Sequence, residues 1–317
     1  MARVIHTGQA LVDEVVEIPA LPWRGDNSMA TSYHRYAGGA TNILVASART
    51  GAASVHAGAH GTGPNGDLVR QVMAAEGIEL SAPAVQDTDT GICFVMIEPS
   101  AERTFVTTQG AERMISVESL ASCDPQPGDL VNVTGYSLAL PATREPLLRW
   151  LEALPGGVHV VLDPGAAFSA LPAPLRQRML ERTTVWTSNA DEAHQLTMKR
   201  DMAEAAEACA HFLPAEAVSI VRDGAEGCAV HHRGVTTRVP GYPQKAVDTN
   251  GAGDCHTGVL VAEYTLHEDW VEAARRANAA ASIKITRRGP ATAPTRDEVD
   301  AFLASWDADS VPQRRQG

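Results

Sequence analysis

A doubly wound α/β fold, with a mostly parallel sheet flanked by helices and a small β-lid, is what the 317-residue sequence predicts. Three observations carry this reading. Short β-branched runs alternate with amphipathic stretches along most of the chain, the pattern of a parallel sheet covered by helices. Gly8, Gly135, Asp163, Asn189 and Arg222 fall at or just after the ends of such runs, where open α/β sheets bind ligands. Two segments, Leu11 to Ala37 and Thr90 to Gln109, break the rhythm.

In chain order, the core strands are read at Arg3 to Thr7, Ser54 to Ala57, Leu130 to Val133, His159 to Leu162, Thr184 to Thr187 and Val218 to Val221. Each is short, apolar and closed by polar or glycine residues. Between and after them, amphipathic stretches predict helices at Thr41 to Thr50, Pro64 to Glu76, Thr143 to Leu154, Ala173 to Arg182, Met202 to Phe212, Ala252 to Leu266, Trp270 to Thr286 and Arg296 to Trp306. In the second irregular segment Ile92, Phe94 and Met96, then Thr104, Val106 and Thr108, alternate as two paired strands do. A two-stranded lid is therefore expected on one domain spanning 1–317, with segments of about 11–37 and 90–109 inserted and a polar tail over 307–317.

Composition narrows the partners. With 26 basic against 38 acidic residues the net charge is −12, which offers no general attraction to nucleic acid or to an anionic membrane. Any anionic ligand must be met by local positive potential, such as a helix N-terminus. Five cysteines lie scattered without a Cys-x-x-Cys, which argues against a zinc site or a disulfide framework and for the reducing cytoplasm. The N-terminal residues lack a signal-type apolar run, and no segment reaches membrane-spanning length.

The densest chemistry lies in Asp248-Thr249-Asn250-Gly251-Ala252-Gly253-Asp254. Gly251 and Gly253 lack Cβ, so bare N–H groups can approach an oxyanion where the helix dipole assists. Asp254, beside that anion hole, is placed to accept a hydroxyl proton. Gly38-Gly39-Ala40-Thr41-Asn42 opens another helix, where Asn42 offers the donor and acceptor a sugar hydroxyl wants. Asn189 and Glu192 stand three apart at a helix start and can face one site; a capping arrangement of Ser188 with Asp191 accounts for the same residues. Arg222 in Arg222-Asp223-Gly224-Ala225-Glu226-Gly227 is a charged donor suited to phosphate.

Together these motifs resemble those of the ribokinase-like (PfkB) family of sugar and nucleoside kinases, from Asp13 to about Pro294. The resemblance implies that Asp254 is the catalytic base and that the amides of Ala252 and Gly253, with Gly251 making the turn, stabilise the transferring phosphoryl group. It implies substrate contacts by Asp13, Gly38, Gly39 and Asn42. ATP contacts are implied for Asn189, Arg222, Gly224, Gly227 and Asn278; for Asn278 an exposed helical position is the equal alternative. It also implies Mg²⁺ near Glu192 through water, a monovalent cation such as K⁺ near Asp248, and a homodimer formed through the lid. Arg222 departs from the family's usual threonine, and no acidic residue stands near Gly63 where members often carry one. The stretch Leu21-Pro22-Trp23-Arg24-Gly25 resembles one in an uncharacterised bacterial sugar-kinase branch.

Competing classes are weighed on the residues. Gly61-Thr62-Gly63-Pro64-Asn65-Gly66 matches a dinucleotide fingerprint literally, but Pro64 removes a backbone donor and the motif does not follow the first strand of a mononucleotide-binding half, so it is read as a decoy. None of Lys199, Lys245 and Lys284 follows a glycine, which excludes a P-loop. The expected activity is ATP-dependent phosphorylation of a primary hydroxyl on a small sugar or sugar acid. A nucleoside kinase of the same family is the alternative, ahead of a non-catalytic sugar or nucleotide sensor and a nicotinamide-dependent oxidoreductase. Few lid aromatics and several lid threonines favour a hydroxyl-rich acceptor over a nucleobase.

Overall fold

All six predicted core strands are present in the computed structural model, which describes residues 2–100 and 102–310, with side chains described as far as 306. Strands β1 (Arg3–His6), β4 (Ala53–His56), β5 (Glu79–Leu80), β8 (Leu130–Thr134), β9 (His159–Asp163), β10 (Val185–Asn189), β11 (Val218–Arg222), β12 (Gly227–His232) and β13 (Val235–Pro240) form one sheet in the order β13-β12-β11-β10-β9-β8-β1-β4-β5. Every pairing from β5 to β11 is parallel, and β12 alone is reversed, so that the β11–β12 and β12–β13 pairings are antiparallel.

Helices cover both faces. They are α1 (Ala40–Thr50), α2 (Pro64–Ala75), α3 (Val117–Ala121), α4 (Pro141–Glu152), α5 (Ala173–Leu180), α6 (Ala190–Thr197), α7 (Met202–Ala210), α8 (Ala252–His267), α9 (Trp270–Lys284) and α10 (Arg296–Ser310). On one face Leu147, Leu148 and Leu151 of α4 pack with Met179 of α5 and the fully buried Trp186 of β10. The Trp186 ring meets Phe168 edge-on and its N–H donates to Ser188 Oγ at 2.8 Å, so the ring is buried without stranding its polar atom. On the other face α8 lies between the sheet, α1 and α9, and its residues Cys255 to Glu263 are all buried. A helix enclosed on all sides has little freedom to shift, which fixes whatever its first turn presents.

A second sheet has the order β3-β2-β6-β7, built from β2 (Ala10–Glu17), β3 (Ser32–Gly39), β6 (Ile92–Ile97) and β7 (Arg103–Thr107). This lid has four strands rather than the two expected. The segment over 11–37 is itself a β-hairpin whose first strand also pairs with β6. Its second strand, Ser-Tyr-His-Arg-Tyr-Ala-Gly-Gly, is largely exposed, so it lacks the buried alternation by which strands are recognised in sequence. The predicted polar tail is also shortened: α10 continues through 307–310, and 311–317 lie outside the described residues.

Candidate active site

Asp254 occupies the first turn of α8. The turn before it is set by Asp248, whose Oδ1 accepts the Asn250 amide at 2.9 Å, and by Gly251, which takes φ 74° with the Pro290 carbonyl against the face a side chain would need. That conformation is costly for any residue with a Cβ. A helix start leaves four amides over. One is taken here, Ala252 N–H by the Thr249 carbonyl at 3.2 Å, and Cys255 N–H makes the first helical bond to the Gly251 carbonyl at 2.9 Å. The Ala252 amide, expected to hold phosphate, is thus engaged within the turn.

Packing of α1 on α8 brings Asn42 to Asp254. Asn42 Nδ2 donates to Asp254 Oδ2 at 2.8 Å, while Asn42 Oδ1 is buried with no partner. An unmet buried acceptor is costly, and a ligand hydroxyl would satisfy it. Asp13, on β2 opposite Tyr36 and Cys93, is 9 % exposed. Gly38 is required beside it, because a methyl there would collide with the carboxylate. Gly39, at φ 59°, caps α1. Burial, with the charge of Asp254 added, pushes Asp13 up to about 7. Burial also raises Asp254, to about 6, against the Asn42 hydrogen bond, which pulls it down. Two neighbouring carboxylates, both drawn away from water, are thus poised near neutrality.

On the other side of Gly253, a cavity of about 440 Å³ is lined by Asn189, Arg222, Gly224, Gly227 and Asn278, together with Ala252 and Gly253. The nucleotide-side residues expected from sequence therefore line one cavity, although they come from β10, β11, the loop after it, the start of β12, and α9. Arg222 is oriented inward: Nη1 donates to Thr257 Oγ1 at 2.7 Å and to the Gly253 carbonyl at 3.1 Å, and Nη2 reaches Asp163 Oδ2 at 3.4 Å. Asn278 is buried rather than exposed, donating to the carbonyls of Val239 and Pro240 and facing His256 Nε2 at 3.1 Å. Burial depresses His256 to about 3, so it is neutral.

Asn189 and Glu192 form a reciprocal capping box at the start of α6. Asn189 Oδ1 accepts the Glu192 amide at 2.8 Å and Glu192 Oε2 accepts the Asn189 amide at 3.0 Å. Ser188 takes no part, since its hydroxyl accepts the Trp186 N–H. Glu192 is raised by burial and then by the charge of Asp163, which shows that carboxylates gather here beside a single guanidinium. Among the described residues no three His, Cys, Asp or Glu side chains converge tightly enough to hold a metal directly. Asp163 appeared in the sequence only as a strand-end residue; His256, Tyr242 and Gln244 gave no signal there, yet all three line the cavity.

The Gly61–Gly66 segment is closed to pyrophosphate. Asp89 already fills the start of α2, accepting the amides of Asn65 at 3.1 Å and Gly66 at 2.9 Å. Asp248 is likewise engaged at all three of its oxygens. Its carbonyl accepts from Lys284 Nζ at 2.9 Å, Oδ1 from Asn250 and from Arg103 Nη2 at 3.5 Å, and Oδ2 from the Gly289 amide at 2.9 Å.

A doubly wound sheet with a lid, a carboxylate at a glycine helix start and an adjoining cavity of nucleotide size are the parts a small-molecule phosphotransferase needs. The model of the pfkB family of carbohydrate kinases matches residues 1–296. The chain belongs to that family, whose members transfer phosphate to an alcohol group, as this enzyme does. It is 31% identical over 301 residues to the uncharacterized sugar kinase YegV of Escherichia coli K12, covering 93% of this chain and 92% of that one. The fold is that of the ribokinase from Giardia lamblia, with a TM-score of 0.82 at 22% identity over 96% of this chain and 99% of the other. It also matches a double-mutant fructokinase from Vibrio cholerae O395 solved with fructose, ADP and potassium ion, with a TM-score of 0.78 at 25% identity, covering 96% and 98%.

Proposed function

We propose that this enzyme is an ATP-dependent kinase that phosphorylates a primary hydroxyl of a small sugar or sugar acid. The observation that carries this reading is the position of Asp254, bonded to Asn42 beside the Asp13 pocket and following Gly253 on the wall of the 440 Å³ cavity. A base there lies between a polar acceptor pocket and a nucleotide-sized hollow. ATP supplies the electrophilic γ-phosphoryl group. Asn42 and Asp13 orient the acceptor, and Asp254 takes the proton from its attacking hydroxyl. The Gly253 amide, the α8 dipole and Arg222 face the charge that develops on the phosphoryl oxygens. Asp163 and Glu192, in excess over Arg222, fit a hydrated Mg²⁺ held through water.

A sugar is favoured over a nucleoside by the inner face of the lid. Of the lid aromatics Trp23, Tyr33, Tyr36, Phe94 and Phe105, only Tyr36 and Phe105 share the face of Asp13, by register with Asp13 and Val95. Cys93 and Thr107 lie nearest Asp13 on that face, with Val15, Val95, Ile97 and Arg103 further along it. Measuring ATP consumption with hexoses, pentoses, ketodeoxy acids and nucleosides tests the reading. A nucleoside used with kcat/KM at least about tenfold above every sugar would overturn the substrate class, and binding without any product would leave a sensor.

The outer lid face carries exposed Tyr33, Phe94 and Val106, which suits burial against a second copy. We expect sedimentation to give a dimer for the wild type and a monomer for a Phe94→Asp, Val106→Asp variant. A monomeric wild type would remove the lid as an interface. Five buried free cysteines accord with a cytoplasmic enzyme, and among the described residues no helix is long and apolar enough to cross a membrane.

A further inference from the structure

Lys284, the last residue of α9, is 0 % exposed. Lysine is rarely buried so fully unless its ammonium is paired. The ammonium donates to the Asp248 carbonyl at 2.9 Å, directly behind the turn that sets Gly251 to Asp254. Burial lowers its pKa, while the charge of Asp248 supports the cation and Arg103 opposes it. Arg103 reaches the same turn from the lid, donating to Thr249 Oγ1 at 2.8 Å.

A monovalent metal ion at Asp248 needs oxygen lone pairs. The three Asp248 oxygens already accept N–H groups from Lys284, Asn250, Arg103 and Gly289, and two of those donors are cations. An added ion would compete with these donors at every Asp248 oxygen and sit against the like charges of Lys284 and Arg103. The residues present therefore do not fit potassium, unlike the Vibrio cholerae fructokinase solved with that ion.

We propose that the Lys284 ammonium is a built-in replacement for a monovalent cation behind the phosphoryl-transfer turn, so that nucleotide binding in this enzyme is independent of K⁺. The inference rests on reading the Asp248 to Asp254 turn as the phosphate site. Being covalently attached, the ammonium is present at any salt composition, and it holds the Asp248 carbonyl in place without a metal.

The test is ATP binding by calorimetry, with the melting temperature read alongside, for the full chain in potassium chloride and in tetramethylammonium chloride at matched ionic strength. The wild type should give dissociation constants that agree within about twofold and the same melting temperature. Lys284→Ala removes the ammonium and opens room for an ion; Lys284→Met keeps most of the stem. In tetramethylammonium the Ala variant should bind ATP about tenfold more weakly, with K⁺ restoring much of the loss. A wild type whose ATP affinity rises about threefold or more with K⁺ overturns the proposal. So does a folded Ala variant that K⁺ does not affect, which would make Lys284 a structural tie alone. If neither variant folds, the wild-type comparison decides. If ATP binds in neither salt, the kinase reading falls, and a K⁺-specific rise in the melting temperature of the nucleotide-free protein still counts against the proposal.

Discussion

Asp254→Asn is expected to lower kcat by about two to four orders of magnitude, the range a positioned general base contributes, and to leave ATP affinity within a few-fold. The substitution is nearly isosteric. It keeps an oxygen to accept from Asn42 Nδ2 and leaves Gly253 and Arg222 on the cavity wall, but it cannot take the hydroxyl proton. The pH dependence supplies an independent signature. A base works only when deprotonated, and burial raises Asp254 of the free enzyme to about 6, so wild-type kcat/KM should fall as pH drops through about 6 and level off above it. The residual rate of the Asp254→Asn variant should lack that limb. Because the Asn42 hydrogen bond pulls the Asp254 pKa down, Asn42→Ala should move the wild-type limb towards higher pH. An Asp254→Asn variant retaining most of its kcat, or a wild-type profile flat from about pH 5 to 8, would remove Asp254 as the base.

Contiguous elements of the site were legible because their geometry is local. The run from Asp248 to Asp254 states its own turn and helix start, and the Gly-Gly-x-x-Asn run does the same for α1. What joins them is not local: Asn42 and Asp254 are 212 residues apart, and only the packing of α1 on α8 brings them into contact. For the same reason no spacing in the sequence placed Asp163 beside Arg222 or Lys284 beside Asp248. The equal choice between a pocket and an exposed place for Asn278 was settled by β13, whose last carbonyls its amide binds.

Two misreadings have different origins. The four-stranded lid escaped because β3 is too exposed to alternate visibly. The β12–β13 hairpin turns at Arg233 and Gly234, which both take positive φ, 50° and 76°, as a tight two-residue turn requires; of the pair only Gly234 marks such a turn in the sequence. Capping was correctly anticipated at α6 but on the wrong side chains, since Ser188 was already committed to Trp186 and the reciprocal bonds fell to Asn189 and Glu192.

Asp13→Asn is expected to separate binding from stability. Loss of a charged hydrogen-bond set should weaken the acceptor by about 1.5 to 3 kcal/mol, with ATP affinity nearly unchanged because the ATP-side cavity contains no atom of Asp13. Stability should move the other way. Folding raises Asp13 from 3.8 to about 7, so the fold favours its protonated form; that contribution is fully present below about 4 and is lost as pH rises through about 7. At pH 8 the ionised carboxylate therefore opposes folding, by an amount on the order of 1 to 4 kcal/mol, and a neutral amide of the same size relieves it. The variant should melt several degrees above the wild type at pH 8. The gain should shrink towards pH 5, where the wild-type carboxyl is already protonated. Comparing melting temperatures of the ligand-free proteins at the two pH values reads this directly, while acceptor KM at saturating ATP reads the binding loss. A variant that is destabilised equally at both pH values would show that Asp13 is held by favourable contacts, and the strained acceptor pocket inferred from its burial beside Asp254 would have to be abandoned.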